Sequence, residues 1–234
     1  QLSAEPPVRD GNLPDKEGNS GNPDGLSDKG NDSGTDSESA PDQDPEDPEK
    51  EPVPFRPALQ SEMDGIYHHE GGKVAYLTFD DGPTPDLTTA ILDILKAEGV
   101  KATFFTIGSR AERYPEMIQK EYEEGHGIAS HSFTHDFKHI YNNPENLLEE
   151  VMHSEKVLQS ILGEDKEFKL IRFPGGSFGE KLAPYREAVN EAGYFYVDWN
   201  SLSGDAETRK PRTVKQLIAR LKETVHGQSG LVVL

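Results

Sequence analysis

The sequence predicts an α/β domain built on a parallel sheet that closes or nearly closes into a barrel, preceded by an acidic segment with no core of its own. Three observations carry this. From residue 73 onward, short apolar runs alternate with amphipathic stretches of helical period. The connections between them are short, and the residues richest in chemistry fall where the apolar runs end. Residues 1–57 read differently: they hold 15 acidic and 5 basic residues among Pro, Gly, Ser and Asn, with few apolar side chains. Such a segment buries too little apolar surface to offset its ordering entropy and is expected to be a disordered acidic spacer. Residues 58–234 suit one domain with a real core.

The elements follow in order. Val74 to Phe79 is a near-continuous apolar run, as expected of a strand covered on both faces. Pro85 to Glu98 places Leu87, Ile91, Ile94 and Leu95 on one helical face and ends at Gly99. Ala102 to Ile107 reads as the second strand, Tyr114 to Glu124 as a helix stopped by Gly125, and Ile128 to Ser130 as a short strand delivering His131. Pro144 to Leu162 is a long helix closed by Gly163, and Leu170 to Phe173 a strand running into Pro174. Leu182 to Ala192 is a helix, Tyr194 to Trp199 a strand, Thr213 to Val225 the last helix, and Leu231 to Leu234 the start of a strand. Right-handed crossovers between such units give a parallel sheet, and in parallel barrels the chemistry sits at the carboxyl ends of the strands.

Composition narrows the partners. A net charge of -19 argues against nucleic acid and against attachment to anionic lipid. The chain shows no long apolar span and no signal peptide, so no membrane insertion is expected within it. It starts at Gln1 rather than Met, which leaves room for a targeting segment ahead of it. With no cysteine, disulfides and thiolate ligands are excluded. A polar spacer before a compact domain suggests an extracellular protein held to a wall or membrane by a segment outside this chain, and a monomer is the default.

Two segments carry the chemistry. TFDDGP, Thr78 to Pro83, sets Asp80 and Asp81 at a strand end, and HSFTH, His131 to His135, sets two imidazoles four residues apart. Adjacent aspartates before a Gly-Pro turn are commonly turn chemistry, and a lone His-x-x-x-His is commonly accidental. Together they offer one carboxylate and two imidazoles to Zn²⁺ or a similar divalent ion, with a position open for water, and a second carboxylate as general base.

In this order, and with three later segments, the motifs resemble the polysaccharide deacetylase family, carbohydrate esterase family 4, also called the NodB homology domain. The resemblance runs from about Gly72 to the last residue and implies a distorted (β/α)7 barrel, NodB-like. It implies that Asp81, His131 and His135 bind the metal and that Asp80 is the base. RFPGGS, Arg172 to Ser177, resembles the third motif, whose arginine orients the base. Gly175 stands where relatives often carry an aromatic residue, so its N–H is kept for an oxyanion while a side-chain wall is lost. Asp198 and Trp199 match the fourth motif, an aspartate that tunes a catalytic histidine and a tryptophan that lines the acetyl pocket. Leu234, in GLVVL, stands at the pocket-lining leucine. Relatives follow that strand with a His-Asp pair holding the general acid, so the domain is expected to be truncated before that motif. His68, His69, His126, His139, His153 and His226 are expected to be packing or surface residues.

The expected activity is metal-dependent removal of N-acetyl groups from a GlcNAc-containing polysaccharide, peptidoglycan or a chitin-like glycan, with Zn²⁺ as the ion and Co²⁺, Ni²⁺ or Fe²⁺ as alternatives. Two other readings use the same residues: an O-acetyl esterase acting on xylan or another acetylated polysaccharide, and a non-catalytic glycan-binding relative. A chain ending inside an apolar strand is also expected to turn over poorly without its acid.

Overall fold

The structure is a computed structural model and describes residues 60–234. The spacer expected over 1–57 lies outside the described residues, as do the first residues expected to open the domain at 58.

Six strands form one sheet in which every pairing is parallel. They are β1 (Val74–Gly82), β2 (Ala102–Thr106), β3 (Gly127–Ser130), β4 (Leu170–Ile171), β5 (Phe195–Tyr196) and β6 (Gly230–Val233), in the order β5-β4-β3-β2-β1-β6. The chain leaving β5 then turns to run beside β6. Asn200 and Ser201 donate to the Val232 carbonyl at 3.2 Å, Leu234 donates to Ser201 at 2.9 Å, and Ser203 donates to Leu234 at 2.8 Å. The sheet thus curls until its two ends meet at their carboxyl side. At the other side the first described elements fill the gap. The Gln60 side chain, on α1 (Gln60–Asp64), pairs with both the N–H and the carbonyl of Tyr196, at 3.0 and 2.9 Å. The 3₁₀ turn Gly65–Tyr67 lies so close to Gly230 that a Cβ there would collide with the Ile66 carbonyl.

Local signals set the helices. In α2 (Pro85–Ala97) proline stands in the first turn, where its missing N–H is not needed, and Gly99 follows at φ +64°. α6 (Pro144–Leu162) is capped by Asn143, which accepts from Asn146 N at 2.8 Å. α8 (Val214–Thr224) opens on a capping box of Thr213 and Gln216. Against expectation, the stretch before Pro115 is itself helical: α3 (Gly108–Arg113) precedes α4 (Pro115–Glu123), with the chain re-aimed at Tyr114. α5 (Phe137–Ile140) and α1 were also unforeseen, both being too short to show a period. α7 spans Ala183–Glu191.

The seven-stranded expectation meets six strands among the described residues, and β4 and β5 are two residues each where longer runs were expected. Leu170 to Phe173 and Tyr194 to Trp199 leave the ladder early because their later residues serve the site at the carboxyl end of the sheet. The barrel interior holds Phe105, Ala129, Val197 and Val232, backed by Met63, Ile66 and Tyr67. The helices pack outside through Ile140, Val151, Ile171, Phe173 and Val189 on one flank and Leu92, Leu95, Ala102 and Phe104 on another. No helix among the described residues is long and apolar enough to cross a membrane.

Candidate metal centre and active site

In a regular strand, successive side chains point to opposite faces, so adjacent aspartates would diverge. Here they do not. β1 pairs Asp80 with Phe105 and Gly82 with Thr106, which leaves Asp81 as the extra residue of a bulge, at φ +67°. A bulge of this kind re-aims a side chain. Both carboxylates consequently approach one imidazole nitrogen: His131 Nε2 stands 3.8 Å from Asp80 Oδ2 and 3.7 Å from Asp81 Oδ1.

His131 follows β3, its N–H donating to Thr106 at 2.8 Å, and is buried. Its Nδ1 lies 2.8 Å from the Arg172 carbonyl. A carbonyl only accepts, so Nδ1 carries the proton and Nε2 presents its lone pair toward the two acids. Burial holds the imidazole below its ordinary pKa despite Asp80, so it stays in the neutral form that metals bind.

HSFTH forms a tight loop rather than a helical turn, with Ser132 at φ +66° and His135 at φ +60°. Positive φ at non-glycine residues is strained and persists only where neighbours enforce it. Here the enforcing residue is Glu150 on α6, buried, which accepts from Phe133 N at 2.9 Å, Thr134 N at 2.6 Å and Thr134 Oγ1 at 2.8 Å. His135 N donates to Ser132 Oγ at 3.1 Å. The loop brings His135 Nε2 to 3.4 Å from Asp81 Oδ1.

The donor set fits a divalent ion. One oxygen of Asp81 and one nitrogen each of His131 and His135 all lie within 4.8 Å of one another. Ligands about 2.1 Å from one ion at tetrahedral angles stand about 3.4 Å apart, against 3.4 and 3.7 Å from Asp81 to the two rings. Three protein donors leave a fourth position open, as in hydrolytic sites.

Asp80 has a different environment. Its Oδ1 accepts from Arg172 Nη1 at 2.8 Å. Arg172 is 1% exposed, and four bonds hold it: Nε to Val197 O at 3.0 Å, Nη1 to Thr78 Oγ1 and to Asp80 at 2.8 Å each, and Nη2 to Asp198 O at 3.2 Å. It also lies over the Phe105 ring, 4.0 Å from its centroid. Burial pushes the Asp80 carboxyl up, while the charge of Arg172 pulls it down.

Gly175 sits in the loop after β4 at φ +78°, and among the described residues nothing accepts from its N–H. Trp199 is half-buried, 5.7 Å from the Arg172 guanidinium. Leu234, also half-buried, is knitted to Ser201 and Ser203. Asp198 accepts through Oδ1 and Oδ2 from Ser177 N and Oγ at 2.8 and 2.6 Å, so its carboxylate fixes the loop that carries Gly175. Tyr67 adds to this side, its hydroxyl accepting from Asp198 N at 3.1 Å. Three of the other histidines are engaged elsewhere: His126 accepts from Ala102 N, His139 neighbours Glu150, and His153 stacks on Phe133.

Sequence reasoning missed Glu150, Ser177, Thr78 and Tyr67, whose roles arise from partners far along the chain. It also overlooked a basic stretch within the acidic chain. Arg209, Lys210, Arg212 and Arg220 line a cavity of about 720 Å³ beside α8, and Glu207 pairs with Arg212 and Arg220.

A family model described as polysaccharide deacetylase matches residues 68–197. The chain belongs to the polysaccharide deacetylase family. The matched span contains Asp80, Asp81, His131, His135, Arg172 and Gly175, and stops one residue before Asp198. Among curated relatives, the chain is 34% identical over 160 residues to a putative polysaccharide deacetylase, YheN, of Bacillus subtilis, covering 68% of this chain and 56% of that protein. It is 40% identical over 127 residues to a peptidoglycan-N-acetylglucosamine deacetylase of Bacillus cereus, covering 54% of this chain and 45% of that protein. The chain therefore spans about half the length of these relatives. Among solved structures, a Streptococcus mutans CE4 esterase superposes with TM-score 0.67 at 30% identity, covering 76% of this chain and 78% of that one. The polysaccharide deacetylase Bc1974 of Bacillus cereus superposes at 0.61 and 35% identity, covering 69% and 78%. The curled parallel sheet with helices outside is thus the fold of this deacetylase family.

Proposed function

We propose that the chain is a metal-dependent deacetylase domain that removes N-acetyl groups from a GlcNAc-containing cell-wall polysaccharide, foremost peptidoglycan, outside the cell. The observation that carries this reading is the bulge at Asp81, which sets one carboxylate at ligand spacing from two imidazole nitrogens and leaves the other on Arg172. The substrate class is supported by what the Bacillus cereus relatives are named for.

Asp81, His131 and His135 would hold the ion, Zn²⁺ by donor chemistry, with Co²⁺, Ni²⁺ or Fe²⁺ accepted by the same set. When bound, the ion supplies Lewis acidity that polarises an acetyl carbonyl and acidifies water. Asp80 takes the proton of the attacking water. Two restraints suit it to that role, since burial makes the carboxylate a better proton acceptor and Arg172 fixes its direction. The unengaged Gly175 N–H donates to the oxyanion that develops on the acetyl carbon's oxygen. Asp198 acts through Ser177 to hold the loop that presents this N–H. Trp199 and Leu234 line the acetyl methyl. Departure of the amine needs a proton, and of the described residues Asp80, protonated in the first step, is the one placed to return it.

The test is acetate release from N-acetylated glycan strands by the zinc-loaded chain, with and without a chelator. Release that the chelator stops and zinc restores supports the reading. Release from O-acetylated xylan alone would make the chain an esterase, and glycan binding with no release from either substrate, in a protein extended past Leu234 through the expected acid motif, would make it a glycan-binding relative.

A further inference from the structure

Gly175 and Gly176 both take positive φ, +78° and +87°, conformations open to glycine at little steric cost. Each also has an aromatic ring where a side chain would stand. A Cβ on Gly175 would lie 3.0 Å from Phe137 Cε1, while one on Gly176 would run into the Phe178 ring and come within 3.1 Å of Trp199 Cη2. Two rings, Phe137 from far earlier in the chain and Phe178 from just beyond the pair, thus occupy the side-chain space of this di-glycine.

Neither ring is core. Phe137 is 48% exposed and Phe178 56%, whereas every other described phenylalanine is buried or half-buried. Both are nonetheless held in place. Phe137 meets His135 edge-on, centroids 5.2 Å apart, and Tyr141 at 5.8 Å, while Phe178 meets Trp199 edge-on at 5.4 Å. Tyr141 donates its hydroxyl proton to the Pro174 carbonyl at 2.7 Å, fastening the Phe137 side to the loop. The result is an aromatic strip that touches the candidate metal centre at His135 and continues past the di-glycine to Trp199.

Large apolar surface left in solvent beside a polar centre marks a contact site, and aromatic rings give it area at low entropic cost. The matching ligand is apolar on its faces and polar around its rim, as a pyranose is. We propose that Phe137 and Phe178 are two sugar-binding walls of the site, each stacking on a pyranose of a glycan chain threaded past Asp80 and Asp81. This rests on the deacetylase reading above, and fixes where the polymer lies.

The probe is the β-linked tetramer of N-acetylglucosamine, its Kd measured by calorimetry on the zinc-loaded chain in an Asp80→Asn background that prevents turnover. Acetate release is followed separately in the wild type. Phe137→Ala and Phe178→Ala should each weaken tetramer binding about fivefold to tenfold, the range of one aromatic stacking contact. Phe178→Tyr should restore it, and neither alanine variant should shift zinc affinity or the melting temperature appreciably. Monosaccharide binding should change much less, because one ring cannot reach both walls. Unchanged tetramer affinity in both alanine variants would overturn the proposal. So would a change confined to self-association in sedimentation, since a second copy of the chain would then be the occupant. A protein extended past Leu234 through the expected acid motif that binds the tetramer through both rings yet releases no acetate would uphold the walls and sink the deacetylase reading instead.

Discussion

Arg172 and Glu121 are both sealed from water, 1% and 0% exposed, and the protein handles the two charges in opposite ways. Arg172 is met by four hydrogen bonds, among them the Asp80 carboxylate, and by the Phe105 ring. Glu121, on α4, has no partner for either oxygen among the described residues. A buried ion is tolerable only when paired, and otherwise it neutralises. Accordingly Arg172 keeps its charge while burial pushes the Glu121 carboxyl up to about 8, so that it is largely protonated near neutrality. Burial of charge is thus no mark of function by itself. What distinguishes the site is that its buried charge is fully coordinated and directed at a second group.

The largest expected effect comes from breaking the coordinated charge. Arg172→Met removes the cation and leaves Asp80 buried without its partner, a change that typically costs about 3–5 kcal/mol. Denaturant melts should show that loss. A variant as stable as the wild type would mean that the Arg172 network carries no net stabilisation.

The uncoordinated charge should respond with the opposite sign. A carboxyl whose pKa is higher folded than unfolded stabilises fully below the unfolded value of 4.5, and that contribution is lost as pH rises through the folded value of about 8. Between these limits the wild type should lose up to about 1.4 kcal/mol per pH unit from this group. Glu121→Met removes the titration and should gain up to about 4 kcal/mol at pH 8, against about 1 kcal/mol at pH 5. Equal gains at both pH values would show that packing, not charge, explains the effect.

Glu150 falls between the two, buried but engaged at both oxygens by the HSFTH loop. Glu150→Gln keeps the shape and weakens that grip, and should reduce zinc affinity about tenfold to a hundredfold, as outer partners of ligands commonly do. Competition titration with a coloured chelator reads this directly, and unchanged affinity would mean that the loop holds His135 without Glu150.

Much of this was legible in the sequence where the determinants are local. The β1 motif, the bounds of α6 from Asn143-Pro144 to Gly163, and the placement of chemistry at strand ends all follow from period, caps and turn residues. Asp80, Asp81, His131, His135 and Arg172 were singled out and the structure brings them together. The means were not legible. The bulge at Asp81 has no sequence mark beyond the aspartate pair itself, and it is what lets adjacent carboxylates share one imidazole. Glu150 supports a loop 16 residues earlier, and Asp198 reaches back 21 residues to Ser177, separations at which no periodic pattern operates. The short β4 and β5 were overextended because their apolar runs continue into residues that the site uses. Gly175 looked like a lost wall, and only packing shows that Phe137 stands in its place.

The division of labour between Asp80 and Asp81 is the centre of the account, and zinc affinity measured beside acetate release in Asp80→Asn and Asp81→Asn, in a protein extended past Leu234 so that turnover is readable, tests it most directly. Asp80→Asn should bind zinc nearly as the wild type does and lose about 10² to 10⁴ in kcat, while Asp81→Asn should lose zinc affinity by about tenfold or more. Equal loss of zinc in the two variants, or full activity in Asp80→Asn, would contradict it.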